Sequence, residues 1–173
     1  MVNIMYYINN FLLFSLFGHL LESIIYLFLD NNGYSGIMYG PWTPVYGFGI
    51  ILITIIYNLI KKTKLNNFIK VILIFLISMI LLTFIEYIGG ISIEYFFHKK
   101  LWSYKGLKFN IGPFIALEIS IIWGICSIIY IYLIKPITDK IIKRIPYYIT
   151  ICISVFFIID LIVTIINKIS FSN

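Results

Sequence analysis

Hydrophobic positions in this chain come in long uninterrupted runs, and polar positions gather in short segments between them. A helix needs about 20 mostly apolar residues to cross a bilayer. Five stretches approach or exceed that length, at about residues 4–29, 45–60, 68–97, 113–134 and 147–166. The second is short unless part of the glycine-rich stretch before it is also buried. The third is long enough to tilt or to protrude. The pattern predicts an all-α fold, a polytopic membrane helix bundle of about five transmembrane helices, forming a single integral membrane domain over residues 1–173.

One stretch breaks the pattern. Tyr34 to Gly49 reads YSGIMYGPWTPVYGFG and holds four of the eleven glycines and two of the five prolines. Gly40-Pro41 and Thr43-Pro44 resist helix continuation, because proline lacks an N–H and restricts the residue before it. The expectation is a non-helical, aromatic-rich segment against the membrane. It must be covered by protein or water, since hydrocarbon cannot satisfy backbone N–H and C=O groups. A fainter copy recurs at a gapless offset of 72 residues: Gly18 maps to Gly90, Glu22 to Glu94, Gly40 to Gly112, Pro41 to Pro113 and Trp42 to Phe114. Two spans separate the copies, so such a duplication is a parallel repeat, with both irregular loops on one face.

Composition points the same way, with 61% hydrophobic and only 12% charged residues, against about 25% charged in soluble domains. The net charge of +6 comes from lysines in short loops. That is a topology signal and a poor basis for nucleic-acid binding. Lys61, Lys62, Lys64, Lys70, Lys135, Lys140, Lys143 and Arg144 fall on one side, eight residues; Lys99, Lys100, Lys105, Lys108 and Lys168, five residues, fall on the other. The bias puts the N-terminus in the cytoplasm and the C-terminus outside. The basic segment His98 to Lys108 runs against it, through a local role or an inverted topology. The first apolar run lacks a basic leader and a small-residue cleavage site, so it reads as a retained span. Cys126 and Cys152 sit inside apolar runs as packing residues, with no disulfide or metal spacing.

Candidate chemistry rests on four glutamates within or at the ends of spans: Glu22, Glu86, Glu94 and Glu118. A charge inside a bilayer costs about 2.5–3.5 kcal/mol on insertion scales, so it faces a cavity or a partner. Glu86, Gly90 and Glu94 are four apart and fall on one broad helix face. Gly89 and Gly90 leave room beside them for a helix or a bound group. His19, three residues before Glu22, can share its face. One histidine makes no metal site. The functional reading is a cation, proton or amine pathway beneath the two loops. The plainer reading is that these acids pair with Lys99, Lys100 or loop backbone and hold the fold. Asp160 has no acid near it in sequence and reads as a bond to another helix. Tyr6, Tyr7, Tyr147 and Tyr148 sit at span ends as interfacial aromatics. Tyr39, Trp42, Tyr46, Trp102 and Tyr104 either cap a cavity and stack on a cationic ligand, or anchor the loops at the interface.

The chain has no GxxxxGK[ST], GxSxG, HExxH or paired-cysteine motif, so neither an ATPase nor a hydrolase is expected, and no cofactor or metal. His98 and Ser103 are close in sequence but lack a third orienting group. The blocks GHLLESIIY (Gly18–Tyr26), GIMYGPWTPVYGFG (Gly36–Gly49), IEYIGGISIEYFFHKKLWSYKGLKFNIG (Ile85–Gly112) and Trp123-Gly124 resemble the ABC-transporter type IV (CmpB-like) family of bacterial membrane permease components. The GPxxPxYGFG block carries most of the specificity, and the likeness covers about residues 10–134.

The resemblance implies a multi-pass protein of the bacterial cell membrane working with a separate ATPase subunit. It places Glu22, Gly40, Pro41, Pro44, Tyr46, Gly47, Glu86, Glu94, Trp102, Tyr104 and Asn110 at motif positions. Two departures weaken the expectation of a loop ion pair. Trp102-Ser103-Tyr104-Lys105 stands where relatives carry Trp-Asp-Tyr-Ser, and Gly112-Pro113-Phe114 stands where relatives carry a basic residue. The functional expectation is a permease-like transport component, embedded in the lipid bilayer as a homo-oligomer or hetero-complex. The alternatives are a non-transporting assembly or sensor module and, behind it, a small intramembrane lipid-modifying enzyme using Glu86 or Glu94 as acid or base.

Overall fold

The computed structural model of the chain describes residues 4–29 and 36–170. Its apolar runs close their backbone hydrogen bonds internally, as membrane segments must. They form α1 (Ile4–Leu29), α2 (Pro44–Lys61), α3 (Asn67–Phe97), α4 (Leu117–Ile129), α5 (Lys135–Ile142) and α6 (Tyr147–Ser170). A π-helical turn, Tyr130–Ile134, joins α4 to α5. Among the described residues five helices are long and apolar enough to span a membrane, the run Leu117–Ile142 counting as one. The all-α, five-span expectation is therefore met. α2 has 18 residues and α3 has 31. At a rise of 1.5 Å per residue they measure about 27 and 46 Å. The first falls just short of a hydrocarbon core of about 30 Å, and the second overshoots it.

Several boundaries differ from expectation. The non-helical stretch is shorter than Tyr34 to Gly49. Tyr34 and Ser35 lie outside the described residues, residues 36–43 are irregular, and Pro44 opens α2. Proline suits a first helical position, because its missing N–H would have no partner there. Gly47 and Gly49 thus lie within the helix. The fourth span starts at Leu117 instead of 113. Residues 110–116 form a small antiparallel ladder instead, β1 (Asn110–Ile111) with β2 (Ile115–Ala116), pairing Asn110 with Ala116. Gly112 turns the chain at φ +65°, and the Asn110 side chain donates to its carbonyl at 2.9 Å. The same span continues past Ile134 to Ile142 despite Pro136. In the wider turn before it, the Lys135 N–H reaches back five residues to the Tyr130 carbonyl. That shift in bonding lets the chain absorb a residue that cannot donate.

The chain forms two compact units. One takes in the described residues up to Ile50 and from Ile141 onward, and the other is Ile51–Lys140. In the first, α1 and α6 are joined by a buried hydrogen bond from Thr150 to Asn9 at 2.7 Å and by the Phe11 and Phe157 rings, 5.2 Å apart. Gly47 lies where any side chain would strike the Ser15 hydroxyl and the Phe11 carbonyl, so the glycine lets α2 approach the α1 backbone. In the second, α3 buries one stripe at every fourth residue: Ile74, Ser78, Leu82, Glu86 and Gly90. α4 answers with small residues, Ser120, Gly124 and Ser127, the usual means of close helix approach where lipid gives no hydrophobic drive. The Phe75 ring fills the space over Gly124. Thr83 lies 2.8 Å from the Ser120 hydroxyl, which donates to the Ala116 carbonyl.

Candidate functional site

In the unit Ile51–Lys140, the buried stripe of α3 carries a carboxylate in its fourth position. Glu86 is 7% exposed. Its Oε1 accepts the Tyr104 hydroxyl at 2.5 Å, and its Oε2 accepts the Trp123 indole N–H at 2.8 Å. Tyr104 comes from the loop 98–116 and Trp123 from α4, so one side chain fastens α3 to both. One turn on, the Phe114 ring lies over Gly90, which has no side chain to displace it. Phe114 is 2% exposed and meets the Trp102 ring edge-on at 5.8 Å. Trp102 Nε1 is buried without a hydrogen-bond partner, an unused donor in the same loop.

The other two glutamates of this unit hold the loop. Glu94 pairs with Lys100 at 2.9 Å, across a turn in which His98 takes φ 51° and its N–H bonds the Glu94 carbonyl. Glu118 accepts the Phe109 N–H at 3.2 Å through Oε1, while its Oε2 is buried without a partner. This is the plainer of the two expectations, pairing with Lys100 and with loop backbone. Asn110, also a motif residue, serves the turn at Gly112. Among the described residues no three His, Cys, Asp or Glu side chains gather as a metal site.

In the other unit, Glu22 is half-buried on α1, and His19 keeps Nδ1 buried without a hydrogen-bond partner. Gly40-Pro41-Trp42 closes a tight turn, with the Trp42 N–H bonded to the Gly40 carbonyl at 2.8 Å. Proline at the centre pre-sets the φ that such a three-residue turn needs. The Trp42 ring packs edge-on against Phe157 at 5.5 Å, and the Tyr46 ring occupies the space above Gly18. Each half of the offset pattern thus seats an aromatic ring on a glycine, but from unmatched positions. Phe114 corresponds to Trp42, whose partner is Phe157 of α6.

The sequence reasoning missed a ladder on α6. Asp160, Thr164 and Lys168 follow one another at intervals of four, which aligns them on one face. Asp160 Oδ1 accepts the Gly40 N–H at 3.0 Å, Thr164 Oγ1 accepts the Tyr39 N–H at 3.4 Å, and Lys168 donates to the Ile37 carbonyl. The Lys168 ammonium also lies 4.6 Å from the Tyr39 ring centroid. Asp160 therefore bonds a loop, where sequence suggested another helix. The legible signal was the four-residue spacing of polar groups in an apolar helix. Trp123 stands out in sequence only through the Trp123-Gly124 block, because nothing there links its indole to Glu86.

Residues 9–166 match the family described as "Putative ABC-transporter type IV". The chain belongs to that family. Its match takes in Glu86, the Gly40-Pro41-Trp42 turn and Asp160 alike. No curated protein and no solved structure matches the chain. Family membership and five apolar helices together describe a multi-pass membrane protein related to ABC-transporter components.

The ladder can be tested directly. Asp160→Ala removes the acceptor of the Gly40 N–H, and an unsatisfied buried donor costs about 1–3 kcal/mol. The expected result is faster amide hydrogen exchange at Gly40 and a lower melting temperature in detergent. Asp160→Asn, which keeps an acceptor oxygen, should recover most of both. Unchanged exchange at Gly40 in the alanine variant would show that the bond does not hold the turn.

Proposed function

We propose that the chain is a permease-like component of a bacterial transport system and that Glu86 is its contact for a cationic or polar solute. The observation behind this reading is a buried carboxylate held by neutral donors from a loop and a helix. A cation or amine reaching Glu86 competes with the Tyr104 hydroxyl and frees the loop that carries it. Trp123 keeps the carboxylate in place, and the unused Trp102 N–H supplies a donor for a polar group of the solute. Glu94 and Glu118 fasten the loop that carries Tyr104. A separate ATPase subunit provides energy, and the chain itself is not an enzyme. The N-terminus lies in the cytoplasm and the C-terminus outside the cell membrane, with the path completed in a homo-oligomer or hetero-complex.

Uptake of candidate cations and amines by cells or vesicles carrying Glu86→Gln tests the reading. Loss of one charge-assisted contact worth about 1.4 kcal/mol reduces flux about tenfold. Unchanged flux of every solute, in a variant that folds normally, would count against it. A non-transporting assembly module is favoured by one observation, that Glu94 and one oxygen of Glu118 bond the protein's own loop. A stable partner recovered by pull-down, with binding indifferent to solute, would support that second reading.

A further inference from the structure

A second feature of the unit Ile51–Lys140 plays no part in the Glu86 site. Where α2 ends and α3 begins there is a cavity of about 480 Å³. Its polar lining is Lys61, Lys70, Asn67, Tyr57 and Tyr132. Its floor is apolar, from Ile60, Val71 and Ile74.

The two lysines are positioned by neutral groups. Lys70 Nζ donates to the Lys61 carbonyl at 3.3 Å, and Lys61 Nζ lies 5.6 Å from the centroid of the Tyr57 ring. Among the described residues neither ammonium pairs with a carboxylate. Between Asn31 and Ile85 the sequence has no acid at all. Asp139, on α5, is taken by Lys135 at 2.6 Å. Tyr132 belongs to the π turn, a distortion frequent at functional sites. Asn67 opens α3, where the helix dipole favours negative charge.

Two ammonium groups that pair with no described carboxylate, two tyrosines and an apolar floor at the end of two spans suit an amphipathic anion. We propose that this cavity binds the head group of an anionic phospholipid, with the phosphate between Lys61 and Lys70 and the first carbons of the acyl chains against Ile60 and Ile74. Basic pockets between spans take anionic head groups in just this way, through charge close to the membrane surface. The apolar floor selects the lipid over a free phosphate ester, which has nothing to place there. The bound head group would clamp the turn 62–66 and cancel part of the charge that Lys62 and Lys64 add beside it.

The test uses the full chain in detergent micelles, with lipid retention read by native mass spectrometry. The probes are phosphatidylglycerol, phosphatidylcholine and glycerol 3-phosphate. The wild type is expected to retain phosphatidylglycerol in preference to phosphatidylcholine and to bind glycerol 3-phosphate at least tenfold more weakly. Lys61→Gln with Lys70→Gln should weaken phosphatidylglycerol about tenfold to thirtyfold, the effect of losing two cations near a head group. Lys62→Gln with Lys64→Gln removes the same charge outside the cavity and should leave retention near wild type. Lys61→Arg with Lys70→Arg keeps the charge and guards against a folding defect. Equal retention of the two lipids by the wild type, or equal loss in both glutamine pairs, would overturn the site. Glycerol 3-phosphate binding as tightly as the lipid would overturn the assignment to lipid.

Discussion

Phe114→Ala is expected to destabilise the protein by about 3–5 kcal/mol, the range for removing a buried aromatic ring. The ring is 2% exposed and lies between the bare backbone of Gly90 and the Trp102 ring. Emptying that position leaves a void that the α3 backbone cannot close. Gly90→Ala approaches the same contact from the other side. Its new methyl carbon would sit 2.6 Å from the ring, and overpacking of that kind costs about 1–3 kcal/mol. The two substitutions share one space, so their effects should not add. The double variant should be more stable than the sum of the two single losses predicts, by about 0.5–3 kcal/mol. Thermal unfolding of the purified protein in detergent measures all three. Strict additivity would mean that the ring does not occupy the Gly90 groove.

Glu86→Leu comes next in size. It removes the acceptor of the Tyr104 hydroxyl and of the Trp123 N–H, each bonded to one oxygen of the carboxylate. An unsatisfied buried donor costs about 1–3 kcal/mol, and hydrogen bonds between membrane helices average nearer 0.6 kcal/mol. Two donors lost together put the expected destabilisation at about 2–4 kcal/mol. The sign follows from what is left behind. Removing the carboxylate takes away the oxygen that each of these two groups donates to. Adding Tyr104→Phe and Trp123→Phe to Glu86→Leu should therefore recover most of the loss. If the triple variant is no more stable than Glu86→Leu alone, the hydrogen bonds are not the cause. This comparison concerns the fold, whereas the flux of Glu86→Gln concerns transport, so one can fail without the other.

Much of the architecture was legible because membrane helices obey a simple rule. With no water to bond to, each apolar run must close its own hydrogen bonds, and run length sets the span. Two of the boundaries that went astray did so at prolines. Pro44 stops nothing because it stands at a first helical position, and Pro136 passes because a π turn rearranges the bonds before it. Local rules treat proline as a stop, and its tolerance depends on which carbonyl the next N–H reaches.

The spans, the glutamates within them and the room beside Gly90 could be read from the chain alone, because hydrophobic length and side-chain volume are properties of single residues. What those residues meet emerged only on folding: Glu86 with Tyr104 and Trp123, Phe114 on Gly90, and Asp160 with the Gly40 N–H, 120 residues away in the chain. Those pairings depend on which helix faces turn toward each other. In an apolar chain nearly every face looks alike, so periodicity leaves the choice open and packing makes it.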